Sequence, residues 1–281
     1  MEKQTSTLVC TSVHFKGGVG KTTTTVNCAA LLGRLGYKVL VVDLDKQRNA
    51  TKHISANDDI DQIQYTLRHL FENYKTIDPN LVILNPEQTN FENVSLIASS
   101  KDIRDVEINI QRTSAVPNEI LRTVFKKIKG QFDFILIDCP PALETLTFNA
   151  LLASNILMLP LDGEYSIQGL EEILNTMDDL ETANPNLKIL APILNFYKKR
   201  NSVDQKVAET INHEFSQSIV MDKVIQNETI FIPDATIFSQ AAYLKTSIFE
   251  LDEKGDSPAS GAIKTIVNLL EQQYKNLQEG Q

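Results

Sequence analysis

Leu8-Val9-Cys10-Thr11-Ser12-Val13-His14 runs directly into Phe15-Lys16-Gly17-Gly18-Val19-Gly20-Lys21-Thr22-Thr23, and an amphipathic helical pattern follows from Lys21 to Leu35. An apolar strand, a glycine-rich turn and a helix in this order form a phosphate cradle. Glycines let the backbone wrap close to an anion, and the helix start presents free N–H groups to it. Lys21 is placed to reach the β and γ oxygens of a polyphosphate, and the Thr22 hydroxyl can serve Mg²⁺. Gly17, Gly18, Val19, Gly20 and Thr23 supply the rest of the loop. The common form of such a loop has glycine five residues before Gly20, where this chain has Phe15. Lys16 is a second lysine at the loop entrance.

Outward from the loop, short apolar runs alternate with longer helical patterns, the plan of repeated βα units. Strands are expected at Leu8 to His14, Val39 to Asp43, Leu81 to Leu84, Val94 to Ile97, Phe132 to Asp138, Ile156 to Leu161 and Lys188 to Asn195. Most are unbroken apolar runs, as strands buried on both faces should be. Helices are expected at Asn118 to Lys129, Ile167 to Leu180, Val203 to Phe215 and Ser260 to Leu277, the last with Ser257 or Ser260 as cap. The polar stretch from Gln47 to Asp78 reads as a helical excursion. The expected fold is a single α/β domain over residues 1–281, a doubly wound, mostly parallel twisted sheet flanked by helices, with its ligand at the carboxyl ends of the strands.

The 281 residues carry 27 Lys and Arg against 36 Asp and Glu, a net charge of −9, with 42% hydrophobic residues, so disordered and collagen-like classes are excluded. Acidity argues against wholesale coating of nucleic acid but permits a local basic patch. Cys10, Cys28 and Cys139 lie in apolar runs and read as reduced core thiols. No run approaches the length of a membrane span, and a cytoplasmic location is expected. The four histidines show no metal-ligand spacing.

Residues 16–23, K-G-G-V-G-K-T-T, resemble the deviant Walker A motif of the ParA/MinD family of P-loop ATPases. The resemblance implies ATP and Mg²⁺ as cofactors, slow hydrolysis to ADP and phosphate, and Lys16 crossing a dimer interface to the partner's ATP. It assigns the attacking water to Asp45 and a place near Mg²⁺ to Asp43, both in Val41-Val42-Asp43-Leu44-Asp45. Asp138, which ends the apolar run Phe134 to Asp138, should hold Mg²⁺ through water. Asn195 and the Ile232-Pro233-Asp234 segment occupy the family's adenine-framing places.

Within the family the chain most resembles ParA and Soj partition ATPases over nearly its whole length. Asp43-Leu44-Asp45-Lys46-Gln47-Arg48-Asn49-Ala50-Thr51 is similar to D-L-D-P-Q-G-N-A-T, with Lys46 for proline and Arg48 for glycine. Asp138-Cys139-Pro140-Pro141, Gly163-Glu164-Tyr165 and Ser239-Gln240-Ala241 continue it. Where partition ATPases usually read I-P-R-N-V-R-L-S-E-A, this chain has Asp234 and Ile237 in place of the arginines, one of which helps the family bind DNA. Lys198, Lys199, Arg200 and Lys245, then Lys126, Lys127 and Lys129, are the substitute basic positions. The implied partners are a second copy with ATP, non-specific duplex DNA of the nucleoid and a centromere-binding, ParB-type protein. With no helix-turn-helix expected before the first strand, operator reading is not expected. Two alternatives stay open: a MinD-like positioning ATPase without DNA, acting either on a membrane, which the acidic tail disfavours, or on a protein cargo, which the missing arginines keep open, and a synthetase or electron-transfer ATPase.

Overall fold

The computed structural model describes residues 6–163, 165–217 and 221–280. Eight strands form one sheet: β1 (Leu8–Ser12), β2 (Val39–Asp43), β3 (Ile83–Leu84), β4 (Val94–Ile97), β5 (Phe134–Asp138), β6 (Ile156–Leu161), β7 (Lys188–Tyr197) and β8 (Ile230–Pro233). Their order is β3-β4-β2-β5-β1-β6-β7-β8, and every pairing is parallel except the short β3 against β4. β1 lies between β5 and β6: the chain crosses from β1 to β2 on one side and from β5 past β1 to β6 on the other. That reversal opens a crevice at the carboxyl ends of the central strands.

Alternate side chains of each central strand enter different cores, which is why these strands are apolar throughout. Leu8, Cys10, Val39, Val41, Phe134 and Leu136 face one core, covered by α1 (Lys21–Arg34), α2 (Asn49–Ile54), α9 (Thr236–Tyr243), α10 (Ile248–Leu251) and α11 (Pro258–Glu279). Val9, Leu40, Val42, Ile135 and Ile137 face the other. There α3 (Leu67–Glu72), α4 (Ile103–Thr113), α5 (Ile120–Lys127), α6 (Thr145–Ala153), α7 (Tyr165–Asp179) and α8 (Ser202–Gln217) pack. Within α11, Ile263, Ile266, Val267 and Leu270 are wholly buried, each stabilising the fold by roughly 1.5–3 kcal/mol. The Ser257 hydroxyl caps this helix by accepting from the Ser260 N–H at 3.1 Å. Ser260 itself donates to Asp252, so of the two candidate caps the structure uses Ser257.

The expected strands and helices are present with ends shifted by a few residues, and Gln47 to Asp78 holds α2 and α3 as short helices. Two differences are larger. Leu81 to Leu84 is half a 3-10 turn, with the strand confined to Ile83–Leu84, because Asp78 caps Pro79–Val82. β8 was not expected: Ile230–Pro233 alternates buried and exposed side chains at a sheet edge and ends in proline, a pattern too short to stand out as a strand. All three cysteines are buried free thiols, as read from sequence.

Candidate functional site

The glycine loop follows β1 and ends at Gly20, whose φ of 91° begins α1 with no side-chain cap. The first turn of α1 therefore offers its N–H groups to whatever sits in front of it. Gly17 and Gly18 are exposed, and a Cβ added to either would meet nothing within 4 Å, so the loop is open on that side. Lys21 is buried, with Nζ donating to the carbonyls of His14 at 2.9 Å and Lys16 at 3.1 Å. Burial lowers its pKa, while the neighbouring Asp138 carboxylate opposes that shift.

Asp43 and Asp138 end adjacent strands in register, so both carboxylates come to the crevice. Asp138 accepts from the Thr22 hydroxyl at 2.6 Å through Oδ2, while its buried Oδ1 has no partner. Burial, followed by repulsion from Asp43, raises the Asp138 pKa well above the usual carboxylate value. An orphaned buried carboxylate oxygen beside a threonine hydroxyl is what a hydrated divalent cation needs.

Asp43 stands differently. Its Oδ1 accepts from the Asp45 N–H at 3.0 Å, and its Oδ2 from the Thr51 N–H at 2.8 Å and the Thr51 hydroxyl at 2.7 Å. Burial still pushes its pKa up to about 6. Both oxygens are engaged in holding α2 and the Asp45 turn, a structural task that the reading of Asp43 as a metal neighbour did not include. Asp45 follows at the start of that turn, half-buried, and its Oδ1 accepts from the Gln47 N–H at 2.9 Å.

On the other side of the loop a cavity of about 300 Å³ is lined by Gly20, Thr23, Asn195, Phe196, Ile232, Pro233, Asp234 and Phe238, among others. Asn195 reaches it because β7 bulges, with Phe196 at φ 57°, and its Nδ2 donates to the Val19 carbonyl at 2.6 Å. The three proposed base-framing residues, Asn195, Pro233 and Asp234, thus share one apolar-walled pocket with the loop. Phe196 and Phe238 were not anticipated. Isolated aromatics have no sequence signal until β7 and β8 place them together.

Lys16 is about a third exposed, with Nζ 3.4 Å from Asp162 Oδ2 and 3.3 Å from the Asp162 carbonyl. Glu164, part of the family-like Gly163-Glu164-Tyr165 stretch, lies outside the described residues. The substitute basic positions are scattered. Lys198 pairs with Asp234 at 3.0 Å and Lys245 with Asp58 at 2.8 Å, while Lys199 and Arg200 extend exposed from the turn after β7. Lys127 donates to the carbonyls of Tyr74, Lys75 and Ile77, and with Lys126 and Lys129 it precedes β5, at the end of the sheet opposite the crevice.

Sequence reading also passed over Glu107 of α4. This buried carboxylate accepts from the Leu146 N–H at 2.9 Å, in the first turn of α6, and from Arg104 at 2.9 Å. It holds the far end of the 139–144 segment that follows Asp138. A lone Glu in an amphipathic helix gives no hint of this in sequence.

A glycine loop opening a helix, a buried loop lysine, a threonine–aspartate pair and a base-sized pocket define a P-loop nucleotide-binding protein, and Lys16 places it in the deviant Walker A class. The chain belongs to the ParA/MinD family of P-loop ATPases: a family model described as an AAA domain, AAA_31, matches residues 7–189. It is 33% identical over 216 residues to the sporulation initiation inhibitor protein Soj of Bacillus subtilis, covering 75% of this chain and 81% of that one. It is 29% identical over 262 residues to the chromosome partitioning protein ParA of Caulobacter vibrioides, covering 88% and 95%. Among solved structures, cobyrinic acid a,c-diamide synthase from Mycobacterium smegmatis with bound ATP analog and magnesium has a TM-score of 0.78 at 25% identity, covering 96% of each chain. The septum site-determining protein MinD of Pyrococcus horikoshii with Mg-ADP has a TM-score of 0.68 at 27% identity, covering 93% and 94%.

Proposed function

We propose that this chain is a partition ATPase: with Mg²⁺-ATP it forms a sandwich dimer that binds nucleoid DNA without sequence preference, and a ParB-type centromere-binding protein stimulates slow hydrolysis and release. The observation that carries the reading is the convergence of Lys21, Thr22, Asp45 and Asp138 on one crevice, in a chain related to Soj and ParA. The Thr22 hydroxyl and the free Oδ1 of Asp138 would hold the cation, which when bound neutralises and orients the phosphate oxygens. The Thr22 hydroxyl would bind it directly and Asp138 would hold it through water, leaving room for phosphate oxygens.

Lys21 takes negative charge developing on the phosphoryl group, and Lys16 of each protomer serves the other's nucleotide. Asp45 accepts a hydrogen bond from the attacking water and aims it. Gly20, Asn195, Pro233 and Asp234 frame the adenine. DNA affinity falls to Lys199 and Arg200, since Lys198 is paired with the aspartate that replaces a family arginine.

The membrane alternative has weaker support. Among the described residues no helix is long and apolar enough to cross a membrane, and the apolar face of α11 is already spent on the sheet. Asp45→Ala should keep the phosphate contacts and accumulate the ATP dimer. Its binding to random-sequence duplex DNA should require ATP rather than ADP and weaken steeply with salt. A dimer that binds no DNA under any nucleotide would refute the DNA reading and favour a protein or membrane cargo.

A further inference from the structure

Asp45 begins a tight turn that closes when its carbonyl accepts from the Arg48 N–H at 2.9 Å. Arg48 closes that turn with φ 57° and ψ 35°, then starts α2 by accepting from the Lys52 N–H at 2.9 Å. A left-handed backbone at this point suits glycine, which enters it freely, and costs any residue with a Cβ. The partition pattern D-L-D-P-Q-G-N-A-T has glycine there. This chain bears the cost with an arginine, and the side chain shows what it is used for.

The Arg48 side chain is only 12% exposed, and its guanidinium lies 2.6 Å from Asp61 Oδ1. The other oxygen of Asp61 takes Lys101, four residues beyond β4. Lys101 and Arg48 together hold the Asp61 carboxyl below its ordinary value. A second tether runs in parallel, because the Thr51 hydroxyl that donates to Asp43 also accepts from the Ser99 N–H at 3.0 Å. The turn bearing Asp45 is therefore fixed at its rear to the 55–62 loop and to the segment after β4.

We infer that Arg48 is a positioning residue for Asp45: clamped by Asp61 and Lys101, it sets the turn that holds the Asp45 carboxylate at the mouth of the phosphate crevice. This rests on the reading of Asp45 as the water-aiming group. Arg48 does not line the base pocket, so loosening it should change how often Asp45 is in place and leave nucleotide affinity alone.

The test uses the full chain with Arg48→Ala, Arg48→Gly, Asp61→Asn and the double variant Arg48→Ala/Asp61→Asn. The first readout, amide hydrogen exchange over residues 44–52 in nucleotide-free protein, needs no turnover. Arg48→Ala and Asp61→Asn should each speed that exchange, by about fivefold for a pair of this exposure, and the double variant should add nothing further. Arg48→Gly should also speed it, although it relieves the backbone. In ATPase assays the same variants should lower kcat by a similar factor with KM unchanged. Exchange and kcat in Arg48→Gly equal to the parent would overturn the inference, as would additive effects in the double variant. If the parent chain hydrolyses no ATP, the proposed function fails, while the exchange measurement still decides whether Arg48 clamps the turn.

Discussion

Replacing Glu107 with alanine should destabilise the fold by about 1–4 kcal/mol, a figure that follows from three contacts. Its side chain is 3% exposed, and Oε1 is the acceptor for the Leu146 N–H in the first turn of α6, where Glu144 provides no side-chain cap. Truncation leaves a buried N–H without an acceptor, which costs about 1–3 kcal/mol. It also removes a negative charge from a helix N-terminus, worth up to about 1 kcal/mol. The third contact adds little: Arg104 is half-exposed, keeps Glu144 as a partner and can return to water. Glu107→Gln retains an acceptor and loses the charge, so it should cost about 1 kcal/mol. In a chain of this length each kcal/mol lowers Tm by about 2–4 °C, so the alanine variant should melt about 2–16 °C lower in nucleotide-free thermal unfolding. A change within 1 °C, or a glutamine variant as unstable as the alanine one, would refute the claim that Glu107 caps α6 from a neighbouring helix.

Gly20→Ala should abolish nucleotide binding in calorimetric titration with little loss of fold, because φ is 91° and the new Cβ would stand 2.5 Å from Asn195 Nδ2, between the loop and the base pocket; affinity equal to the parent would contradict the assignment of that pocket. Burial lowers the His53 pKa from 6.5, more than the carbonyls of Thr246 and Ala241 raise it, and Nε2 donates to Thr246 at 2.7 Å. A depressed histidine pKa means that the unfolded chain binds more protons just below 6.5, so this stabilisation is complete above pH 6.5 and lost as pH falls. Urea midpoints taken from pH 7.5 to 5.0 should therefore fall more steeply in the parent than in His53→Leu, and equal slopes would refute the assignment.

The elements that sequence made legible share one property: their signal is local. The loop from Phe15 to Thr23 sits between a strand and a helix by covalent adjacency, and the two acids Asp43 and Asp138 stand at the ends of apolar runs whose continuity already marks central strands. Thr51 was visible as the last residue of a family-like stretch, but its double hold on Asp43 Oδ2 and its bond from the Ser99 N–H were not. The edge strand β8 escaped because four residues with two buried side chains carry little periodic signal.

By itself the sequence determined the layered α/β plan, the phosphate loop and the acids opposite it, because each follows from spacing along the chain and burial of unbroken apolar runs. Only the tertiary structure decided how distant segments meet: Asn195 and Pro233 beside Gly20, Lys198 neutralised by Asp234, Glu107 under α6 and Arg48 on Asp61. Such contacts join residues far apart in the chain, 176 positions in the case of Asn195 and Val19. Strand order, a bulge and helix packing set them, and no short stretch of residues encodes any of the three.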